Sequence, residues 1–119
     1  MEQKIVTLFA RTPVHVGAGS SVGAVDAPIQ RERHTRIPVI PGSSLKGVLA
    51  DMWLEKRDGG LSRSAEGCEL FGDEDPSRDD ASAGALLIGE ARVLAFPVRS
   101  AKGAFAWITC PLALARFKR

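Results

Sequence analysis

The stretch GAVDAPIQRERHTRIPVIPGSSLKG, residues 23–47, decides how this 119-residue chain is organised. It lies largely within a longer segment, residues 12–42, that holds four of the seven prolines and four of the twelve glycines. Proline removes a backbone donor and glycine weakens helices and strands, so residues 12–42 are predicted to be mostly loop. A loop of this length inside a compact domain is usually functional or disordered.

Regular elements are predicted on either side of this loop, from alternating or helically spaced apolar residues. In chain order they are a strand over residues 4–11, a helix over 43–56, a strand over 85–96, a strand over 104–110 and a helix that begins with proline at residue 111. An exposed acidic loop is predicted over residues 67–83. This order is most of a β-α-β-β-α-β unit, so the predicted fold class is α+β, ferredoxin-like (RRM-like).

The predicted unit lacks its last strand, which would leave one sheet edge unpaired. Residues 1–119 are therefore predicted to be the N-terminal portion of a single domain, incomplete at the C-terminus.

Charge and cysteine content restrict the function classes. The net charge of +2 does not by itself indicate a nucleic-acid partner, but residues 11–50 hold five Lys and Arg against two acids. Cys68 and Cys110 are far apart in the chain, which argues against a disulfide framework or a metal cluster and suits a reducing cytosol. No apolar run is long enough to span a membrane. A cytoplasmic protein without a membrane partner is expected.

The motif IPGSSLKG places small polar residues at the start of the predicted helix. Ser43 or Ser44 is the predicted N-cap, and Lys46 adds a positive charge in the first turn. A helix N-terminus of this kind suits a phosphate. Simple helix capping explains the same residues about equally well.

A glycine-rich motif, HVGAGSSVG, precedes this stretch. Gly17, Gly19 and Ser20 would let a ligand approach the backbone closely, although a flexible turn explains them equally well. His15 stands just before the glycines and is the side chain best suited to proton transfer near neutral pH, but a lone histidine is more often structural.

The motif VDAPIQRERHT carries a carboxylate followed by basic residues. Asp26 is a candidate general base or oxygen ligand for a divalent metal, with an Asx turn as the alternative. Gln30, Arg31, Arg33 and His34 follow, and they are candidates for phosphate contacts. The alternative is a solvated loop, which is the interpretation that composition alone favours. Arg99 and Lys102 lie in a predicted basic turn between two strands. They are candidate RNA-binding residues of a phosphate-facing hairpin, although a merely solvated turn is again the favoured explanation.

Together these motifs resemble one known family. The glycine-rich loop, VDAPIQRERHT, PVIPGSSLKG and FPVRSAKGAFAWITCPLALARF look like the backbone subunit of the type III-B (Cmr) CRISPR effector complex, a member of the RAMP superfamily of RNA-binding ferredoxin-like proteins. The related type III-A (Csm) backbone subunits share the outline D-x-P…PGSSLKG. The resemblance covers nearly the whole chain, but members of the family are considerably longer.

The resemblance implies a role in RNA-guided antiviral defence. Copies of such a subunit stack along a CRISPR RNA with other effector subunits, and residues 12–42 would supply the glycine-rich loop and a thumb that interrupts the guide–target duplex at regular intervals. Target RNA would be cut at each interruption by a metal-dependent endoribonuclease activity. Asp26 would be the catalytic residue and the ligand of Mg²⁺ or Mn²⁺, and His15 a helper.

The binding residues that the resemblance implies fall into two groups. The guide phosphates would be held by Gly17, Gly19, Ser20, Ser43, Ser44 and Lys46, and the thumb would use Gln30, Arg31, Arg33 and His34. Two alternatives stay open: a non-catalytic RAMP scaffold, including the type III-A backbone subunit, and a domain that binds a phosphate ligand.

Overall fold

The computed structural model describes residues 2–19, 21–22, 25–26, 28–57, 59–75, 77 and 79–118. The chain divides into two compact units: Met1–Ile40 with Ala91–Arg119, and Pro41–Glu90. Helices and antiparallel strands are both present, so the α+β prediction is confirmed. No helix within the described ranges is long and apolar enough to cross a membrane.

Among its described residues, the first unit contains three short antiparallel strand pairs and one helix. Strands β1 (Ser21–Val22) and β2 (Val25–Asp26) pair with each other, β3 (Val39–Ile40) pairs with β6 (Ala91–Arg92), and β7 (Phe96–Val98) pairs with β8 (Ala106–Ile108). Helix α3 (Pro111–Phe117) follows, with proline in its first turn as the sequence predicts.

The second unit is built around a hairpin between two helices. Helix α1 (Gly42–Asp51) leads into β4 (Leu54–Arg57), which pairs with β5 (Gly60–Arg63), and helix α2 (Ala65–Phe71) follows. Gly60 has a φ of 137°, a value that favours glycine and lets the chain reverse between β4 and β5.

The buried apolar residues of the second unit lie between its helices. Ala50 on α1 is 2% exposed and Phe71 on α2 is 7% exposed. The rings of Trp53 and Phe71 pack with centroids 5.1 Å apart and planes tilted by 54°. Ser64 caps α2 because its side chain accepts a 3.1 Å hydrogen bond from the Gly67 amide.

Several predicted elements differ from the observed ones. Residues 4–11 contain no assigned strand, the first predicted helix ends at Asp51 before β4, and only parts of residues 85–96 are strand. The predicted acidic loop over 67–83 begins inside α2, where Gly67 and Phe71 are buried. Among the described residues the strands form four separate two-stranded sheets, so the ferredoxin-like sheet is not assigned as such.

Candidate functional site

The segment 28–40 is a paired hairpin, not the irregular loop that its prolines predict. The Val39 amide donates to the Gln30 carbonyl at 3.1 Å and the Glu32 amide to the Ile37 carbonyl at 2.9 Å. Its turn closes where the Arg36 amide donates to the Glu32 carbonyl at 2.9 Å, and Arg36 takes a left-handed φ of 63°. We call residues 28–40 the basic hairpin.

A second ladder joins the basic hairpin to the glycine-rich segment. The Gln30 amide donates to the Val16 carbonyl at 2.8 Å and the Ala18 amide to the Pro28 carbonyl at 2.7 Å. Gly17 bridges to Ile29 in antiparallel register. Residues 16–18 of the glycine-rich motif are therefore held by backbone pairing, whereas a flexible turn was one of the two explanations that the sequence offered.

A buried carboxylate lies inside the basic hairpin. Glu32 is 8% exposed, and its Oε1 accepts a 2.7 Å hydrogen bond from Arg116 Nη1 on α3, while Oε2 accepts one from the Thr35 hydroxyl. Arg92 Nε lies 3.9 Å from Oε1, and His34 Nε2 lies 3.8 Å from Oε2. We call these residues the Glu32 cluster: Glu32, His34, Thr35, Arg92 and Arg116.

The environment of Glu32 keeps it ionised. The hydrogen bond from Thr35 and that from Arg116, with the positive charge of Arg116, hold the pKa of the Glu32 carboxyl below its ordinary value, although burial acts in the opposite direction. The solvated loop that composition favours for this run of residues does not describe Glu32, because its carboxylate is buried and paired with an arginine 84 residues away.

Cationic side chains lie on the outer side of the basic hairpin. Arg31 is exposed and donates from Nη1 to the Arg36 carbonyl at 3.0 Å. Arg33 is exposed, and the side chain of His34 is 74% exposed although it borders the Glu32 cluster. Gln30 is half-buried. Of the four predicted contact residues, three therefore present their side chains at the surface.

The start of α1 differs in detail from the predicted cap. The N-cap is Pro41, and Gly42 is the first helical residue, so neither Ser43 nor Ser44 is the capping residue. Both serines are exposed in the first turn, and Lys46 is half-buried. The first turn holds no acidic residue, so the positive end of the helix is not neutralised from within it.

The two candidate catalytic residues lie on either side of the Gly17–Ile29 bridge. His15 is exposed and precedes Gly17 by two residues, whereas Asp26 lies in β2, where its backbone pairs with Ser21. In an antiparallel ladder, His15 then lies toward the open end and Asp26 toward the turn. The side chain of Asp26 lies outside the described part of the chain, as does Ser20. Gly19 has a φ of 112°.

The predicted basic turn that carries Arg99 and Lys102 connects β7 and β8. Arg99 and Lys102 are both exposed there, and the Lys102 amide donates to the Ser100 hydroxyl at 3.2 Å.

Within the described ranges, no three His, Cys, Asp or Glu side chains gather as they would to hold a metal ion. The residues present there do not by themselves form a protein-built metal centre.

The family of the chain follows from comparison with known proteins. The model of the RAMP superfamily matches residues 7–115. The chain belongs to the RAMP superfamily. The resemblance read from its motifs is thereby confirmed for nearly the whole sequence.

Two relatives of this RAMP protein indicate the branch of the superfamily. It is 46% identical over 121 residues to the CRISPR system Cmr endoribonuclease Cmr4 of Pyrococcus furiosus, an alignment that covers 100% of this chain and 39% of that protein. It is 50% identical over 44 residues to the CRISPR system Cms endoribonuclease Csm3 of Mycobacterium tuberculosis, covering 34% of this chain and 19% of the relative. The chain thus spans well under half the length of the curated relatives it matches.

Solved structures agree with this assignment. The crystal structure of oligomeric Cmr4 from Pyrococcus furiosus matches with a TM-score of 0.64 at 43% identity, over 91% of this chain and 35% of that one. A second crystal structure of Cmr4 matches with a TM-score of 0.64 at 42% identity, over 90% of this chain and 36% of the other. The RAMP chain is therefore similar to Cmr4 in both sequence and fold.

Proposed function

We propose that this RAMP protein is a backbone subunit of a type III-B CRISPR effector that binds guide RNA and cleaves complementary target RNA at regular intervals. The observation that carries the proposal is its 46% identity, over its whole length, to a protein named Cmr endoribonuclease Cmr4. The 36–50% identity to Csm3 proteins covers shorter stretches, which favours the Cmr branch.

The surface of each unit supports RNA binding through the sugar-phosphate backbone. In the first unit the basic hairpin exposes Arg31 and Arg33, and the β7–β8 turn exposes Arg99 and Lys102. In the second unit α1 offers a helix start with exposed Ser43 and Ser44 and no acidic residue in its first turn. Cations and helix N-termini bind phosphates without reading the bases, so sequence choice would come from guide pairing.

RNA cleavage needs little beyond correct placement, because the 2′-hydroxyl is itself the nucleophile. The protein must hold one nucleotide with its 2′-oxygen in line with the scissile bond and accept the hydroxyl proton. We assign proton acceptance to Asp26. We propose that His15, which is exposed at the other end of the same ladder, contacts the RNA strand and assists. As the 2′-oxygen bonds to phosphorus, the bond from phosphorus to the 5′-oxygen breaks and that oxygen takes a proton from water, which gives a 2′,3′-cyclic phosphate and a 5′-hydroxyl.

A divalent ion remains part of the proposal. Mg²⁺ is commonly held by one or two carboxylates together with substrate phosphates, so Asp26 and the RNA would share Mg²⁺ or Mn²⁺. Such an ion would stabilise the charge that develops on the phosphate.

Exposed apolar side chains support assembly with further protein. The rings of Phe9 and Phe105 lie 5.9 and 5.6 Å from that of Trp107, and all three side chains are at least half exposed, beside an open groove of about 370 Å³. Contiguous exposed apolar surface of this kind marks an interface. We propose that copies of the subunit, other effector subunits and the complete ferredoxin-like sheet of a longer chain cover such surfaces.

The proposed location is the cytoplasm, where the free thiols of Cys68 and Cys110 stay reduced.

The test compares Asp26→Asn with Asp51→Asn, an exposed acid at the end of α1. Each variant is mixed with a CRISPR-type guide and a labelled complementary RNA in Mg²⁺. We expect wild-type protein and Asp51→Asn to cut at regular spacing, and Asp26→Asn to bind the RNA with unchanged affinity but not cut. Binding by wild-type protein without any cutting would refute the enzymatic part and leave the scaffold function.

A further inference from the structure

We infer that Glu32 is a positioning residue: through Arg116 it fixes the basic hairpin to α3 and so sets where Arg31 and Arg33 meet an RNA backbone. This inference rests on the proposed RNA-binding function and adds to it a residue that does not touch RNA.

Glu32 connects two elements: its backbone forms hydrogen bonds within the basic hairpin, and its carboxylate forms an ion pair with Arg116 on α3. Its amide donates to the Ile37 carbonyl and its carbonyl accepts from the Arg36 amide. Its carboxylate accepts from Arg116 at 2.7 Å, with only 6% of the Glu32 side chain and 19% of the Arg116 side chain exposed. One residue thus connects a turn to a helix 84 positions later.

The chemistry of Glu32 makes it a poor RNA ligand. A phosphate would be repelled by the carboxylate, and both carboxylate oxygens already accept hydrogen bonds, one from Arg116 and one from Thr35. Arg31 precedes Glu32 in the extended arm of the basic hairpin, where successive side chains point to opposite faces, and it is exposed while Glu32 is buried. Arg33 follows Glu32 in the turn and is also exposed.

Loss of the ion pair should therefore act on RNA through the neighbours of Glu32. Arg116→Gln removes the cation nearest to the buried Glu32 carboxylate, which is unfavourable. The basic hairpin then loses its anchor to α3, and Arg31 and Arg33 lose their fixed position. Each phosphate contact contributes about −0.7 to the slope of log affinity against log salt for single-stranded RNA. Losing two phosphate contacts therefore makes the slope shallower by about 1.4.

The experiment measures RNA affinity of the 119-residue chain across salt concentrations in a double-mutant cycle. The variants are Arg116→Gln, Arg33→Gln, the double variant, Arg116→Lys, and Lys118→Gln, which removes an exposed cation at the same end of α3. We expect Arg116→Gln to reduce the magnitude of the salt slope, and Arg33→Gln to reduce it little further in that background. Arg116→Lys should restore part of the slope. Lys118→Gln should leave the slope within about one phosphate contact of the wild-type value.

A second measurement separates this inference from the proposed function. Hydrogen exchange on the free chain should be faster at the Glu32, Arg36 and Val39 amides in Arg116→Gln than in Lys118→Gln. Fully additive effects of Arg116→Gln and Arg33→Gln, or unchanged exchange, would overturn the positioning role while RNA binding by wild-type protein stands. Absence of RNA binding by a folded wild-type chain would overturn the proposed function itself.

Discussion

Replacing Gly42 by alanine tests whether the start of α1 depends on the close contact between Gly42 and the backbone of Ile88 and Gly89. A β-carbon on Gly42 would lie closer than 3.0 Å to the Ile88 carbonyl oxygen and 3.1 Å from the carbonyl carbon and oxygen of Gly89. All three are backbone atoms, so no flexible side chain can move aside, and the main chain must shift. Overpacking of this kind costs about 1–3 kcal/mol.

Gly47 provides the matched control, because it lies in the same helix and nothing lies within 4 Å of the β-carbon it would gain. Alanine is favoured over glycine inside a helix by about 0.5–1 kcal/mol. Gly47→Ala should therefore raise the free energy of unfolding, and Gly42→Ala should lower it. The two single-methyl changes are expected to move stability in opposite directions.

The assay is urea unfolding followed by the fluorescence of Trp53 in a Trp107→Phe background, since Trp53 packs on Phe71 in the same unit as α1. With a urea dependence of about 1–3 kcal/mol per molar, a loss of 2 kcal/mol moves the midpoint down by about 1 M. A Gly42→Ala midpoint equal to that of wild type would show that the reasoning on this contact is wrong.

Three further predictions concern the cap of α2, the buried carboxylate and the metal. Ser64→Ala should lower the free energy of unfolding by about 1 kcal/mol in the same urea assay because the Gly67 amide loses its acceptor, whereas the exposed Ser77→Ala should cost less. The pKa of Glu32 is lowered in the fold, so its contribution to the free energy of unfolding is fully present above the unfolded pKa and is lost as pH falls through the folded pKa. In an acid titration followed by circular dichroism, Glu32→Gln should therefore lose stability less steeply than wild type. Identical curves would contradict this. EDTA should abolish target cleavage and Mg²⁺ or Mn²⁺ restore it, and cleavage that persists in EDTA would remove the divalent ion from the proposal.

The sequence predicts best where a local signal decides the structure. Pro111 marks the beginning of α3, and the helical spacing of Leu45, Val48 and Leu49 correctly indicates α1. The alternating residues around Trp107 correctly predict β8. The family motifs, which combine many residues at fixed spacing, correctly identify the superfamily.

The sequence predicts poorly where long-range contacts decide. The helical spacing that continues to Trp53 is overridden because Leu54–Arg57 pairs with Gly60–Arg63 as a hairpin. The prolines of the basic hairpin suggest loop, yet backbone pairing around them orders it. Glu32 looks like a surface charge because nothing near it in the chain reveals that Arg116 will lie against it. A single sequence carries no signal for that pair.

The placement of the two cysteines has a practical consequence. Cys110 is exposed immediately before α3 in one unit, and Cys68 lies part-buried in α2 of the other; both carry free thiols. The native chain therefore offers one attachment point for a spin label or fluorophore in each unit. Labels attached in this way would report on each unit by itself when RNA is added, with no engineered residue and with the more accessible Cys110 reacting first.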